Sequence, residues 1–211
     1  MALRVADATA AKDERAGQRH SEWVLPMIDA VLAEAGVALQ DLDAIAFGAG
    51  PGSFTGLRIA CGVAQGLAFG ANIAVVPIPT LLALAQATGE DRVIAVLDAR
   101  MGEIYVAAYE RVDNVWRTVV APCLCKPETA PLLPPGFWAG VGSGFAAYND
   151  RLQRRFSHQL ETIECTRYPH AIQIAQLAAD RLRDAVPAEQ ALPLYIRDKV
   201  ALTEIERGVR G

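Results

Sequence analysis

The 211-residue sequence has little excess charge, few histidines and no paired cysteine motif, and each shortage argues against a class of protein. Twenty lysines and arginines stand against 24 aspartates and glutamates, so the net charge is −4 and the chain alone lacks the basic surface that binds nucleic acid. The three histidines, at positions 20, 158 and 170, form no H-E-x-x-H pair, which removes support for a metalloprotease. The four cysteines form no C-x-x-C motif, so we expect free thiols in a reducing compartment.

The sequence also lacks a membrane segment that we can recognise. The first fifteen residues carry six charged side chains, which leaves no apolar core for a secretory signal peptide. The longest apolar run, residues 59–76, is interrupted by Gln65 and Asn72 and is closed by Pro77. We interpret this run as a buried helix followed by a strand, and we expect a cytoplasmic protein with no membrane partner.

Helix and strand patterns alternate along the chain and predict an α/β fold. The continuous apolar run at residues 93–97 is typical of a central strand covered on both faces. Asp113 and Asn114 separate two alternating segments and predict a hairpin turn. The proline-rich residues 122–135 predict a linker or a long loop and suggest a boundary between a larger first part and a smaller second part. Further helices are predicted at residues 23–35, 55–69, 80–87, 148–156 and 172–182, and further strands at 44–47, 73–76, 137–141 and 162–165.

A glycine-rich segment between a predicted strand and a predicted helix is the most informative stretch, with the sequence GAGPGSFTGLR at residues 48–58. Such a loop turns sharply and exposes amide N–H groups at a helix N-terminus, where an anion is favoured. The spacing matches neither G-x-G-x-x-G nor a Walker loop, so a tight structural turn is the alternative to a phosphate site. The candidate phosphate-binding residues are Gly50, Gly52, Ser53, Thr55 and Gly56.

The helix that follows this loop carries two rows of small residues at a spacing of four. One row is Gly56, Ala60 and Ala64, and the other is formed by the glycines at 62, 66 and 70. Glycine destabilises a helix interior by about 1 kcal/mol relative to alanine, so these rows predict close approach of another helix. That helix could belong to this chain or to another subunit. The preceding helix is apolar over a wide arc, which favours a second covered surface.

No complete active site can be assigned from the spacing of the polar residues. Asp98 ends an apolar strand, where its carboxylate could meet a metal-bound phosphate or could sit in an ordinary hairpin turn. The other carboxylates are scattered, and no acid/base pair emerges. We therefore predict no catalytic residue, no metal site and no cofactor.

Five segments in order resemble the TsaB (YeaZ) family. They are HSE with LP at residues 20–26, AGPGSFTGLR at 49–58, AQGLA at 64–68, LDARMGE at 97–103 and PLYIRD at 193–198. The resemblance implies a fold of the actin, Hsp70 and sugar-kinase type with two α/β halves, at residues 1–100 and 101–211, of which the second is reduced. It also implies a non-catalytic subunit that activates a TsaD-like catalytic subunit for threonylcarbamoyl transfer to N6 of adenosine 37 in tRNA. A TsaE-like ATPase joins that complex, tRNA is bound only through it, and two copies of the chain can pair when the partner is absent.

The resemblance places the partner contact on the first two helices. The expected interface residues are Trp23, Val24, Met27, Val31, Gly56, Ala60, Ala64 and Leu67. Family members normally begin with about twenty further residues, which form a strand, a phosphate loop and a hairpin. Residues 3–6 here are interpreted as the remnant of the third strand, which predicts a less stable first half with an unpaired strand edge.

The alternative is an enzyme that acts alone, either an ATP-dependent phosphotransferase or a peptidase-like hydrolase. A phosphotransferase would use the glycine loop, and a hydrolase would need a serine triad or a metal. Neither glycine-flanked serine, Ser53 or Ser143, fits the G-x-S-x-G nucleophile elbow.

Overall fold

The computed structural model describes residues 1–6, 8–13 and 20–197, with the backbone alone at 20 and 21, and shows an α/β fold as predicted. Short 3-10 turns connect several of the elements. The helices are α1 (His20–Ala35), α2 (Phe54–Ala71), α3 (Thr80–Thr88), α4 (Ser143–Phe156) and α5 (Ala171–Ala179). The strands are β1 (Ala2–Val5), β2 (Ala8–Ala11), β3 (Ala44–Gly50), β4 (Ala74–Pro79), β5 (Arg92–Asp98), β6 (Ile104–Val112), β7 (Val115–Cys125), β8 (Trp138–Val141) and β9 (Leu160–Glu164).

The largest sheet has five strands in the order β7-β6-β5-β8-β9. Strand β5 runs antiparallel to β6 and parallel to β8, so the sheet is mixed. Asp113 and Asn114 join β6 to β7 with φ values of 52° and 61°, which confirms the predicted hairpin turn.

Strand β5 is the centre of the core because both of its faces are covered. Val93 and Ala95 pack in a hydrophobic cluster with α3 and α5, whereas Ile94 and Val96 pack in a second cluster with α4. All four side chains are at most 1% exposed. The prediction of a central strand covered on both faces is therefore confirmed.

A smaller parallel sheet pairs β3 with β4 and carries the glycine loop at the end of β3. One side of this sheet packs against α2 in a third hydrophobic cluster. Strand β1, which corresponds to the strand predicted at residues 3–6, pairs with β2 as a separate two-stranded hairpin. The small sheet therefore positions α2 and its loop on one side of the molecule.

The proline-rich stretch at 122–135 begins in a strand and continues as the long loop between β7 and β8, which contains one short 3-10 turn. Strand β7 continues to Cys125, which pairs with Ile104, and Pro122 lies within the strand. Strand β7 is an outer strand, and Pro122 falls at an irregularity of its pairing with β6, where it has no partner in the register, so proline is tolerated there. Beyond it, Ala130 is fully buried, and its carbonyl oxygen accepts a hydrogen bond from Arg155 Nε over 2.7 Å. The division at residue 100 stays a prediction.

The long apolar run at 59–76 forms most of α2 and the start of β4, which confirms the predicted helix and strand. The helix is buried on one side only, since Phe69 is 79% exposed. In the part of the chain that the structure describes, no helix combines the length and the apolar content needed to cross a membrane.

Candidate functional site

The glycine loop joins β3 to α2 through a sharp turn. Gly50 has a φ of 115°, a value that favours glycine, and a cis peptide bond joins it to Pro51. Its N–H donates a hydrogen bond to the Thr80 hydroxyl over 3.1 Å. A Cβ at Gly50 would lie 2.9 Å from the carbonyl oxygen of Leu194 and 3.0 Å from Leu57 Cδ1. The loop is therefore shaped by contacts within the chain.

A segment near the C-terminal end of the described chain covers this loop and the adjoining side of α2. The Leu194 N–H donates to the Ala49 carbonyl over 2.7 Å. The Ala191 carbonyl accepts hydrogen bonds from the Gln65 side-chain amide at 2.7 Å and from the Cys61 thiol at 3.2 Å. Since both of these donors lie on α2, the segment holds the helix and the loop in one fixed arrangement.

The same segment makes two further contacts that sequence reasoning missed. Arg58 stacks over the Phe54 ring at 4.0 Å and donates from Nε to the Tyr195 hydroxyl over 3.2 Å. Arg197 forms an ion pair with Glu103 at 2.8 Å. Residues 193–198 entered the sequence analysis only as part of the resemblance, because no local pattern reveals a contact across 137 positions.

Contacts within the chain explain why glycine stands at position 50, with no need for a ligand. Its N–H is already hydrogen-bonded, and neighbouring atoms leave no room for a Cβ. The other candidate phosphate-binding residues are Gly52, Ser53, Thr55 and Gly56. Ser53 and Thr55 are exposed, and Ser53 makes no side-chain capping bond to α2. Phosphate binding at these residues stays a prediction.

Asp98 lies in a hairpin turn, which is the simpler of its two interpretations. Its Oδ1 accepts hydrogen bonds from the Arg100 N–H at 2.8 Å and from the Tyr148 hydroxyl at 3.2 Å. Its Oδ2 pairs with the Arg100 guanidinium at 3.1 Å. Arg100 and Met101 have positive φ values of 61° and 58°, as a tight turn requires. The carboxylate therefore stabilises the β5–β6 connection.

Helix α2 divides into a buried side and an exposed side. The buried side is a continuous stripe of Leu57, Cys61, Ala64 and Ala68, all at most 8% exposed. Ala64 is 4% exposed and belongs to the cluster that includes Phe47. Ala64 is thus a core residue, which corrects its assignment to a partner interface.

The same correction applies to Val31 on α1, which is also only 4% exposed. Helix α1 packs against the β1–β2 hairpin and against α2. The remaining predicted interface residues keep part of their surface accessible, and their role in an interface stays a prediction. They are Trp23, Val24, Met27, Gly56, Ala60 and Leu67.

The exposed side of α2 carries the second row of small residues. We call it the glycine face and define it by Gly62, Gly66, Gly70 and the neighbouring Phe69. A Cβ added at any of the three glycines would meet no atom within 4 Å, and Phe69 is 79% exposed. Arg58 is the only charged residue in the 18-residue helix. This face is therefore open, nearly uncharged and flat.

The glycine face carries an energetic penalty that no contact in the described part of the chain offsets. Each helical glycine destabilises by about 1 kcal/mol relative to alanine, which amounts to roughly 3 kcal/mol for the three glycines. Within residues 1–6, 8–13 and 20–197, no close contact requires glycine at these three positions, because a Cβ at each would meet no atom within 4 Å. On α1, Trp23 at 39% and Leu25 at 50% exposure add apolar surface. Such surfaces let a second helix backbone approach closely.

The open environment leads to a direct prediction for the isolated chain. We expect Gly62→Ala to raise the free energy of unfolding by about 1 kcal/mol and the melting temperature by roughly 2–4 °C, because alanine adds helix propensity without a clash. Thermal unfolding followed by circular dichroism measures the change. Gly89→Ala is the matched control. Gly89 is equally open but has a φ of 79°, which alanine adopts poorly, so this variant should lose stability. A loss of stability in Gly62→Ala would contradict the open environment.

Metal ligands do not gather in the described ranges, where no three His, Cys, Asp or Glu side chains are placed to hold an ion together. What the structure provides on α1 and α2 is partly exposed apolar surface, including Trp23, Leu25 and Phe69.

Comparison with known proteins gives a consistent assignment. The family described as TsaD, tRNA N6-adenosine threonylcarbamoyltransferase, matches residues 10–205. The tRNA threonylcarbamoyladenosine biosynthesis protein TsaB of Haemophilus influenzae is 38% identical over 203 residues, which cover 89% of this chain and 84% of the relative. The protein of the same name from Escherichia coli is 37% identical over 194 residues, covering 87% of this chain and 83% of the relative.

Solved structures agree with these relatives. YeaZ from Pseudomonas aeruginosa superposes with a TM-score of 0.83 at 37% identity, over 92% of each chain. A second structure, described as an uncharacterized protein with similarity to peptidase YEAZ from Pseudomonas aeruginosa, has a TM-score of 0.86 at 36% identity, over 93% of each chain. The fold is therefore of the actin, Hsp70 and sugar-kinase type, and with relatives this similar over most of its length, the chain belongs to the TsaB (YeaZ) family.

Proposed function

We propose that this chain acts in tRNA threonylcarbamoyladenosine biosynthesis as a non-catalytic subunit that binds and activates a TsaD-like catalytic subunit. The glycine face of α2 and the exposed apolar residues of α1 form the contact. The observation that carries the proposal is the row of three open glycines on a helix with a single charged residue. The names of the relatives supply the pathway.

The exposed side of α2 is unusual in its low charge and its high glycine content, and both features favour an intermolecular contact. A helix that faces water along one side is usually charged there, and its small residues are usually alanine rather than glycine. Gly62, Gly66 and Gly70 break both rules, and no contact among the residues that the structure describes compensates for them. A partner helix that packs across the row would gain close backbone contact and would cover Phe69, which is 79% exposed.

A catalytic role for this chain has less support from its own side chains. Asp98 is engaged on both carboxylate oxygens, and the Gly50 N–H is bonded to Thr80. The surface is weakly acidic, with a net charge of −4, so tRNA would be bound by the complex and not by this subunit. The TsaE-like ATPase and a pairing of two copies belong to the same proposal, as does a cytoplasmic location.

Size-exclusion chromatography of the chain mixed with the TsaD subunit of its own organism tests the proposal. We expect one complex of both subunits at micromolar concentration, and no comigration of tRNA with this chain alone at physiological salt. Single-turnover transfer by the TsaD subunit should require the chain. Absence of a complex would refute the proposal, and so would turnover by this chain without its partner.

A further inference from the structure

Two cysteine thiols lie side by side on the outer strand of the five-stranded sheet. Cys123 and Cys125 are separated by one residue in β7, so both side chains point to the same face. The strand is regular here, because Cys123, Leu124 and Cys125 pair in succession with Val106, Tyr105 and Ile104. The two thiols are therefore fixed neighbours.

Both thiols are free and keep part of their surface accessible to solvent. Cys123 and Cys125 are half-buried, and both pack against the hydrophobic cluster beneath α4. Burial, followed by the adjacent Cys123, raises the pKa of the Cys125 thiol to about 12, so this group is protonated near neutral pH.

This geometry disfavours both a disulfide bond between the two cysteines and a structural zinc site. Residues two apart on a strand have Cα atoms about 6.6 Å apart, near the upper end of the disulfide range of about 4.4–6.8 Å. A direct S–S bond would therefore strain the strand. Structural zinc needs four ligands, and in the described part of the chain no third histidine, cysteine or carboxylate joins a site.

A single bridging atom that takes two sulfur ligands suits the pair better. We infer that Cys123 and Cys125 form a vicinal dithiol site for trivalent organoarsenicals, a class of ligand that condenses with two thiols. Two S–H bonds and the As–O bonds of an arsenoxide are broken, two As–S bonds form, and both thiol protons leave with the oxygen as water. Arsenic stays trivalent, so the step needs no oxidant or reductant.

Intact-mass spectrometry of the folded, reduced full chain treated with one equivalent of phenylarsine oxide tests the inference. We expect one phenylarsenic group per chain, retained in excess glutathione and removed by 2,3-dimercaptopropanol. Cys123→Ser and Cys125→Ser should each weaken retention by roughly a hundredfold, since a chelate is replaced by a single bond.

The other two cysteines supply the matched controls. Cys165 is exposed and Cys61 is buried, so Cys165→Ser and Cys61→Ala should leave the adduct unchanged. Circular dichroism establishes that each variant is folded, and Cys123→Ala with Cys125→Ala repeats the test if a serine variant does not fold. The inference is overturned by an absent adduct, by an adduct that glutathione removes, or by one that persists without Cys123 or Cys125.

Discussion

Gly66→Leu is expected to leave the isolated chain folded and to weaken its association with a TsaD-like subunit by roughly a hundredfold, or about 3 kcal/mol. Within the chain, a side chain at Gly66 projects into open space, because no atom lies within 4 Å of the added Cβ. In the proposed complex the same side chain would stand between two closely packed helices. Titration of the TsaD subunit, monitored by calorimetry or by a fluorescent label, measures the loss.

Two variants separate an interface effect from a general effect of added bulk. Ala147→Leu adds similar volume at an exposed position on α4, far from α2 in the sequence, and should bind normally. Ala64→Leu adds bulk two residues from Gly66 but on the buried side of α2, where it should destabilise the fold by about 1–3 kcal/mol. Normal binding by a folded Gly66→Leu would refute the assignment of the glycine face.

The contrast between Ala64 and Gly66 also shows where prediction from sequence ends. Both rows of small residues repeat every four positions, so helical periodicity places each on one side of α2 but does not say which side is inside. The buried side of α2 is the one that packs against β3 and against Ala188 and Ala191. These two alanines lie more than a hundred residues from α2 in the chain. The sequence analysis therefore assigned Ala64 to an interface, although this residue is in the core.

Elements with a strong local pattern were predicted well. The run at residues 93–97 is apolar at every position, which only a strand covered on both faces explains, and β5 is such a strand. The prediction of a linker or long loop at 122–135 held only beyond Cys125, because proline content is a local signal. Pro122 is tolerated within β7 because it lies at a pairing irregularity on an outer strand, and which strand is outermost is set by the order of all five strands.

The two helices of the candidate site could be predicted from the sequence, but the contacts that hold α2 in place could not. The resemblance pointed to α1 and α2, and the small-residue rows pointed to close packing. The contacts that fix α2 come from residues 191–197, including the Tyr195 hydroxyl that accepts a hydrogen bond from Arg58. Such contacts join residues with no shared periodicity, so pattern analysis has no means of pairing them.

The largest loss of stability is expected at the junction of β8 and α4, in Gly142→Ala. Gly142 has φ 107° and ψ 173°, a region that essentially only glycine adopts, at a penalty of about 1–3 kcal/mol for other residues. A Cβ there would also lie 2.4 Å from the carbonyl oxygen of Val96, on the central strand β5. Because a backbone atom of a buried strand cannot move aside cheaply, we expect a total loss of about 4 kcal/mol.

Urea unfolding of Gly142→Ala beside Gly102→Ala separates the clash from the backbone strain. Gly102 also has a positive φ, of 77°, but a Cβ there would meet no atom within 4 Å. Gly102→Ala should therefore show only the cost of the unusual backbone, about 1–2 kcal/mol. Equal losses in the two variants would mean that β5 yields to the added methyl group. A markedly larger loss in Gly142→Ala would show that the close approach of this turn to β5 holds α4 on the sheet.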